Sequence, residues 1–258
     1  MDKITIIAVC YDEAPASISY TIESALAQTY QNKEIIVIDG GSKTATIDCL
    51  NAYIAKGVKV ISKPDNGIYH AMNRGIKAAS GQWMLFMNMR DRFHSDTVLE
   101  DVGEYLNNED GTDIFYGYIK TQYNKINKVK NLNKVSLYSR LVCHQAMFFS
   151  AESFQRVGSF DQSYRLQAYM DWLHRAVIMK LRTRYIPILI CDWQDGIGAS
   201  SDYKFVEKER IIVRKKYYSK PTIVLLSAVD LVERLVRRLI SFNFSIPIAL
   251  NKEIPSEK

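Results

Sequence analysis

Short apolar runs alternate with helix-periodic segments through residues 4–93, and this alternation constrains the fold more than any other feature. Ile4–Cys10, Glu34–Asp39, Val58–Ser62 and Trp83–Met87 are mostly or wholly apolar, as strands covered on both faces are. Between them, Ile18, Ile22, Ala25 and Leu26 share one side of a helix over 18–28, and Gly40-Gly41-Ser42 turns into a second helix. Ala71, Met72, Gly75, Ile76 and Ala79 recur at helical spacing over 68–79,. Asp65-Asn66-Gly67 marks the turn before that helix and Gly81 its end,. Strand and helix in alternation imply an α/β fold, with a parallel sheet, helices on its faces and right-handed crossovers.

Two of the runs stop at carboxylates. EIIVID ends in Asp39, and Trp83–Met87 gives way to Asn88-Met89-Arg90-Asp91. Open α/β sheets hold ligands beyond the carboxyl ends of their strands. Taken singly, either aspartate is as well explained as a turn cap. Together on one sheet edge they describe a nucleotide site with a metal nearby.

The second half is less regular. Asp113–Thr121, His144–Phe149 and Tyr185–Cys191 read as strands. Ala151–Val157 and Asp171–Lys180 read as helices, and the lysine-rich segment Asn124–Asn133 as a mobile loop. The net charge of +6 and pI near 9.0 fit either an anionic partner or a solvated basic surface,. The four cysteines form no CxxC pair, which argues against zinc and for a reduced, cytosolic chain,. The apolar run at the amino end stops by Cys10, too short for a signal peptide,. Nor does any stretch reach the roughly 20 apolar residues that span a bilayer.

From Lys204 onward basic residues dominate. In TIVLLSAVDLVERLVRRLISF, the residues Asp230, Glu233, Arg234, Arg237 and Arg238 form one helical stripe opposite a broad apolar arc. A helix of this kind over 222–242 lies on an anionic membrane surface, or packs on the domain or a second copy of the chain as a homo-oligomer.

The stretches VCYDEA, TIESALAQTYQNKEIIVIDGGS, KPDNGIYHAMNRGIKAASGQWMLFMN with its following RDRF, CHQAMFF and, more weakly, YRLQAYMDWL resemble family 2 inverting glycosyltransferases of the GT-A fold. The likeness is greatest to those that build bacterial surface polysaccharides. It implies a Rossmann-like GT-A domain over 1–203, with a mostly parallel sheet, and a basic amphipathic extension over 204–258. It further implies inverting transfer of a hexose from a nucleotide sugar, in the first place a UDP-sugar, to a lipid-linked or other saccharide acceptor. Such a protein would be peripheral on the inner face of the cell membrane. No nucleic-acid partner is implied, because no recognised module accompanies the basic residues.

The resemblance also implies roles. Tyr11 would stack on the base, Asp39 would accept from base or ribose, and Asp65, Asn73, Arg90 and Gln145 would complete the donor site. Asp91 matches the metal aspartate, which with the diphosphate would hold Mn2+ or Mg2+. His144 would act near the acceptor, beside Gln145.

Four positions depart from the family pattern. Thr44 replaces an acidic residue, His70 an aspartate, and Arg90 the small residue before the metal aspartate. An arginine there would pair with Asp91, or neutralise the diphosphate in place of a cation. Tyr169 stands where the family carries its catalytic aspartate, and a tyrosine with pKa near 10 is a poor base at neutral pH. Asp171, two residues on, is the substitute, although residues i and i+2 of a helix face differently. The competing reading is a degenerate GT-A protein that binds nucleotide or serves as an assembly subunit.

Overall fold

The computed structural model describes residues 1–107, 111–140, 142–194 and 202–243, without the side chains of 233, 234 and 236–243. The chain divides into a body, Met1–Tyr217, and a second unit that begins at Tyr218.

The body holds strands β1 (Ile4–Cys10), β2 (Lys33–Asp39), β3 (Lys59–Ser62), β4 (Trp83–Asn88), β5 (Arg92–Phe93), β6 (Ile114–Thr121), β7 (Ile126–Asn127), β8 (Met147–Ser150) and β9 (Thr183–Trp193). Its helices are α1 (Pro15–Leu26), α2 (Thr44–Asn51), α3 (Ile68–Ala78), α4 (Val98–Leu106), α5 (Lys134–Ser139), α6 (Ala151–Val157), α7 (Ala168–Ile178) and α8 (Tyr203–Tyr217). They surround one nine-stranded sheet of order β3-β2-β1-β4-β8-β6-β9-β5, with β7 paired to β6. The first four strands in that order run parallel, as the alternation requires. β8 then enters antiparallel to β4 and to β6, while β9 returns parallel to β6.

Side-chain alternation along β1 separates the two cores. Ile4, Ile6, Ala8 and Cys10 join Ile18, Ile22, Leu50, Leu99 and Val102 on the face covered by α1, α2 and α4. Ile7 and Val9 join Met72, Phe154, Trp172 and Leu173 on the face covered by α3, α6 and α7. α3 lies so close to β1 that a Cβ on Gly75 would come 2.3 Å from Cγ2 of Ile7, so only glycine fits there.

Several sequence expectations need correction. His144–Ala146 is a 3₁₀ turn, and the strand begins only at Met147. Part of the 124–133 loop pairs with β6 as β7. α7 starts at Ala168 rather than 171, which puts Tyr169 and Asp171 on the same first turn. The domain boundary falls after Tyr217 instead of 203, because α8 is part of the body.

The second unit contains α9, Lys220–Asn243. Val224, Leu225, Val229, Leu231, Val232 and Leu235 are exposed on it. The side chains of Glu233, Arg234, Arg237 and Arg238, which the charged stripe needs, lie outside the described residues. Among the described residues no helix is long and apolar enough to cross a membrane.

Candidate active site

The parallel strands deliver three loops to one edge of the sheet. After β2, Asp39 is fully buried, and its carboxylate accepts from the amides of Gly41 and Ser42 at 2.9 and 3.0 Å and from Oγ of Ser62 at 2.7 Å. The Ser42 hydroxyl also donates to it. Burial pushes this carboxyl upward, but those donors outweigh the desolvation and hold it below its ordinary value,. Asp39 is therefore a fixed anion. The loop after β1 is laced to the same turn: the Asp12 amide donates to Oγ of Ser42 at 2.7 Å, and the Lys43 amide to Oδ1 of Asp12 at 2.8 Å.

Tyr11 and Asp65 meet over Gly40. A Cβ at Gly40 would come 3.0 Å from Oδ2 of Asp65 and 3.1 Å from Cδ2 of Tyr11. Only the absence of a side chain at Gly40 lets the Tyr11 ring and the Asp65 carboxylate approach this closely, next to the buried Asp39. Tyr11 is 64% exposed, so its ring face is open. Asp65 is held by the Gly67 amide at 2.9 Å and lies 4.0 Å from Nη1 of Arg74. The sequence reading missed Arg74. Its Nη1 donates to the Lys63 carbonyl at 2.7 Å, while its Nη2 is buried with no partner among the described residues. Position 74, two turns along the amphipathic α3, was the available clue. Nδ1 of His70 accepts from the Asn66 amide at 3.1 Å and so holds the turn before α3.

Asn73 is corrected. Its side-chain amide pairs with the Phe160 backbone at both ends, donating at 2.9 Å and accepting at 3.0 Å, and it is buried. It ties α3 to the segment before α7, as Tyr69 does through a 2.7 Å bond to the Leu166 carbonyl. With both ends engaged it has nothing to offer a donor.

Beyond β4 the chain turns sharply. Arg90 adopts φ 80°, the left-handed region that favours glycine,. Thr21 pins the turn: its Oγ1 accepts from the Arg90 amide at 2.9 Å and donates to the Asp91 carbonyl at 2.7 Å. The Asp91 side chain is buried. Oδ2 accepts from Nε2 of Gln145 at 2.9 Å, and Oδ1 from the Gln194 amide at 2.9 Å. These two bonds do not offset burial, which pushes the carboxyl up to about 7. Gln145 and Asp91 are thus brought together from 54 residues apart. Arg90 does not pair with Asp91; its Nε donates to Glu13 at 2.9 Å.

A magnesium or manganese ion needs oxygen ligands at close to octahedral geometry. Asp91 is one carboxylate, engaged on both oxygens. Among the described residues no group of three or more His, Cys, Asp or Glu side chains could hold an ion. The donor set does not fit a resident cation.

Nearer α7, His144 and Tyr169 pack edge to face, with ring centroids 5.2 Å apart at 61°. His144 is buried, its Nε2 has no partner among the described residues, and burial lowers it to about 4, so the imidazole is neutral at pH 7. Burial also drives the half-buried Tyr169 hydroxyl well above its ordinary value. Asp171 is corrected as base. Its fully buried carboxylate accepts from Nζ of Lys216 and the Tyr217 hydroxyl, both at 2.7 Å, and from Nε of Arg175 at 3.0 Å. A carboxylate sealed between α7 and α8 by two cations and a phenol meets no acceptor hydroxyl. A second anchor on α8 was not foreseen: Glu209 accepts from the successive amides of Arg165, Leu166 and Gln167 at 2.6, 2.7 and 2.9 Å.

A family model described as glycosyl transferase family 2 matches residues 5–169. Among curated proteins, the chain is similar to a PGL/p-HBAD biosynthesis glycosyltransferase of Mycobacterium bovis, at 28% identity over 194 residues, 73% of this chain and 75% of that protein. It is also similar to an uncharacterized glycosyltransferase of Mycobacterium tuberculosis, at 28% identity over 203 residues, 76% of this chain and 77% of that one. Residues 1–349 of S. aureus TarS, solved with UDP-GlcNAc, align at a TM-score of 0.67 and 15% identity, over 95% of this chain and 76% of that one. The mannosyltransferase PcManGT of Pyrobaculum calidifontis, solved with GDP-Man and Mn2+, aligns at 0.61 and 14%, over 95% and 80%. The fold they share with it is GT-A. With its sheet edge so arranged and the family model spanning most of its length, this chain belongs to glycosyl transferase family 2.

Proposed function

We propose that the protein transfers a hexose from a nucleoside-diphosphate sugar to a saccharide acceptor, with inversion. The observation that carries this reading is the convergence of Tyr11 and Asp65 at Gly40, beside the buried anion Asp39. Tyr11 supplies a face for the base, and Asp39 and Asp65 supply acceptors for base or ribose N–H and O–H groups. Asp91 and Gln145, bonded to each other, are the groups we assign to the diphosphate and sugar. Complexes of the fold relatives with UDP-GlcNAc and GDP-Man support a nucleotide sugar as donor, and we assign UDP.

In the transfer, an acceptor hydroxyl oxygen bonds to the anomeric carbon as the bond from that carbon to the diphosphate breaks. The nucleoside diphosphate leaves with the bonding electrons. One displacement inverts the centre. With Asp171 sealed and Tyr169 held protonated, the free Nε2 of the neutral His144 is the group we assign to the acceptor proton. An imidazole this weakly basic makes an inefficient base, because general-base catalysis works best with a pKa near the working pH. The same observation supports a second reading, a GT-A protein that binds nucleotide but has lost efficient transfer.

Incubating the protein with a panel of UDP- and GDP-hexoses and a lipid-linked saccharide, with and without manganese, decides between them. Release of nucleoside diphosphate with formation of the opposite anomer by NMR is the expected result. It should fall at least tenfold in His144→Ala. Nucleotide binding without turnover on any donor establishes the second reading, and absence of binding removes both.

We assign the acceptor to lipid-linked saccharides and the protein to the cytoplasmic face of the membrane, held through residues 222–242. The exposed apolar residues of α9 support this. Co-sedimentation with phosphatidylglycerol vesicles should disappear when 222–258 is removed. Unchanged sedimentation refutes the membrane contact, and a halved mass without lipid points to pairing with a second copy instead.

A further inference from the structure

A nucleotide sugar bound as above stretches from Tyr11 and Gly40 to Asp91, and its diphosphate carries charge that something must neutralise. The described residues form no cation site, and Asp91 is itself negative when ionised. The cation that stands between the two ends is a side chain. Arg90 precedes Asp91, and its Nε is bonded to Glu13, two residues from Tyr11. It therefore bridges the loop that carries the base-stacking ring and the turn that carries the carboxylate.

Three features make it more than a surface ion pair. Only Nε is engaged; Nη1 and Nη2 make no hydrogen bond to the described residues, and the side chain is 35% exposed, so four N–H donors are open. The backbone is fixed by Thr21, which anchors the swing of the guanidinium at one point. The residue occupies a left-handed position that an ordinary side chain seldom takes, so its presence there carries a backbone cost,. A guanidinium is permanently charged, and its planar fork matches phosphate oxygens in pairs.

We propose that Arg90 neutralises the donor diphosphate, leaving Glu13 when the nucleotide arrives, so that this chain binds its donor without a divalent cation. This rests on the reading that a nucleoside diphosphate sugar is the donor. It predicts an order of events: in the free protein Glu13 keeps the guanidinium off Asp91, and in the complex the phosphates outcompete one carboxylate.

The test is titration calorimetry of the full chain in EDTA, with UDP and uridine (GDP and guanosine in parallel). Arg90→Gly is the informative variant, because the backbone at φ 80° accepts glycine without strain and the fold is retained,. It should weaken UDP at least tenfold and uridine less than twofold. Arg90→Lys should fall between. Glu13→Gln, which releases the guanidinium, should tighten UDP several-fold. The proposal is overturned if wild type binds UDP only with manganese, or if Arg90→Gly leaves UDP binding intact. Equal weakening of uridine and UDP also overturns it, since that marks a structural role. In each of these cases the transferase reading survives; only failure of wild type to bind any nucleotide under any condition takes both away.

Discussion

His144 and Asn73 are both buried polar side chains, and they answer to different tests. His144 titrates near 6.5 when unfolded and near 4 when folded. The unfolded chain therefore holds more protons between those values, so the contribution is present above pH 6.5 and is lost as pH falls to 4. At about 1.4 kcal/mol per unit, the loss is on the order of 3 kcal/mol. The raised carboxyl of Asp91 tilts the other way, because it favours the folded state below about 7. The two trends partly cancel in wild type. His144→Phe should accordingly gain stability relative to wild type as pH falls from 6.5 to 4 in urea denaturation; a pH-independent difference would exclude the buried neutral imidazole. Asn73→Ala leaves the amide and carbonyl of Phe160 unpaired, a cost of about 2–4 kcal/mol. Its nucleotide affinity, corrected for folded fraction, should match wild type. The family motif marked Asn73 as important, but nothing in it distinguishes a donor ligand from a clamp whose partner is 87 residues away.

At the scale of elements, the strands that end at Asp39 and Asn88 were legible because a strand buried on both faces is apolar throughout. The helix Val98–Leu106 was equally legible, with Val98, Leu99, Val102 and Leu106 on one side, and the sequence reading passed over it. The start of α7 was not. Its N-cap makes no side-chain bond, and the segment that leads into it, Arg165–Gln167, is held by Glu209, more than 40 residues on. Asp171 looked like a catalytic residue for the same reason: Lys216, 45 residues later, hides it. Glu209→Gln keeps the shape but replaces one acceptor oxygen with a donor. It should cost about 1–3 kcal/mol and speed hydrogen exchange at Arg165, Leu166 or Gln167. Unchanged exchange there would show that α8 does not fix the turn.

For the whole molecule, charge balance and periodicity suggested a break at 203, where basic residues begin to dominate. Packing puts it after Tyr217, because α8 supplies Glu209, Lys216 and Tyr217 to the body. A chain ending at 217 should unfold within a few degrees of full length by calorimetry. One ending at 202 leaves Asp171 paired only with Arg175 and should be insoluble or molten; a well-folded 1–202 would restore the earlier boundary.

The placement of that clamp has a bearing on synthesis. Tyr11, Asp39, Asp65 and Arg74 all lie in the first third of the chain, yet α3, which carries Arg74, is tied to Phe160 and Leu166, so this half of the site depends on segments synthesised far later. Residues 165–171 wait in turn for Glu209, Lys216 and Tyr217, so the last helix of the body completes their arrangement.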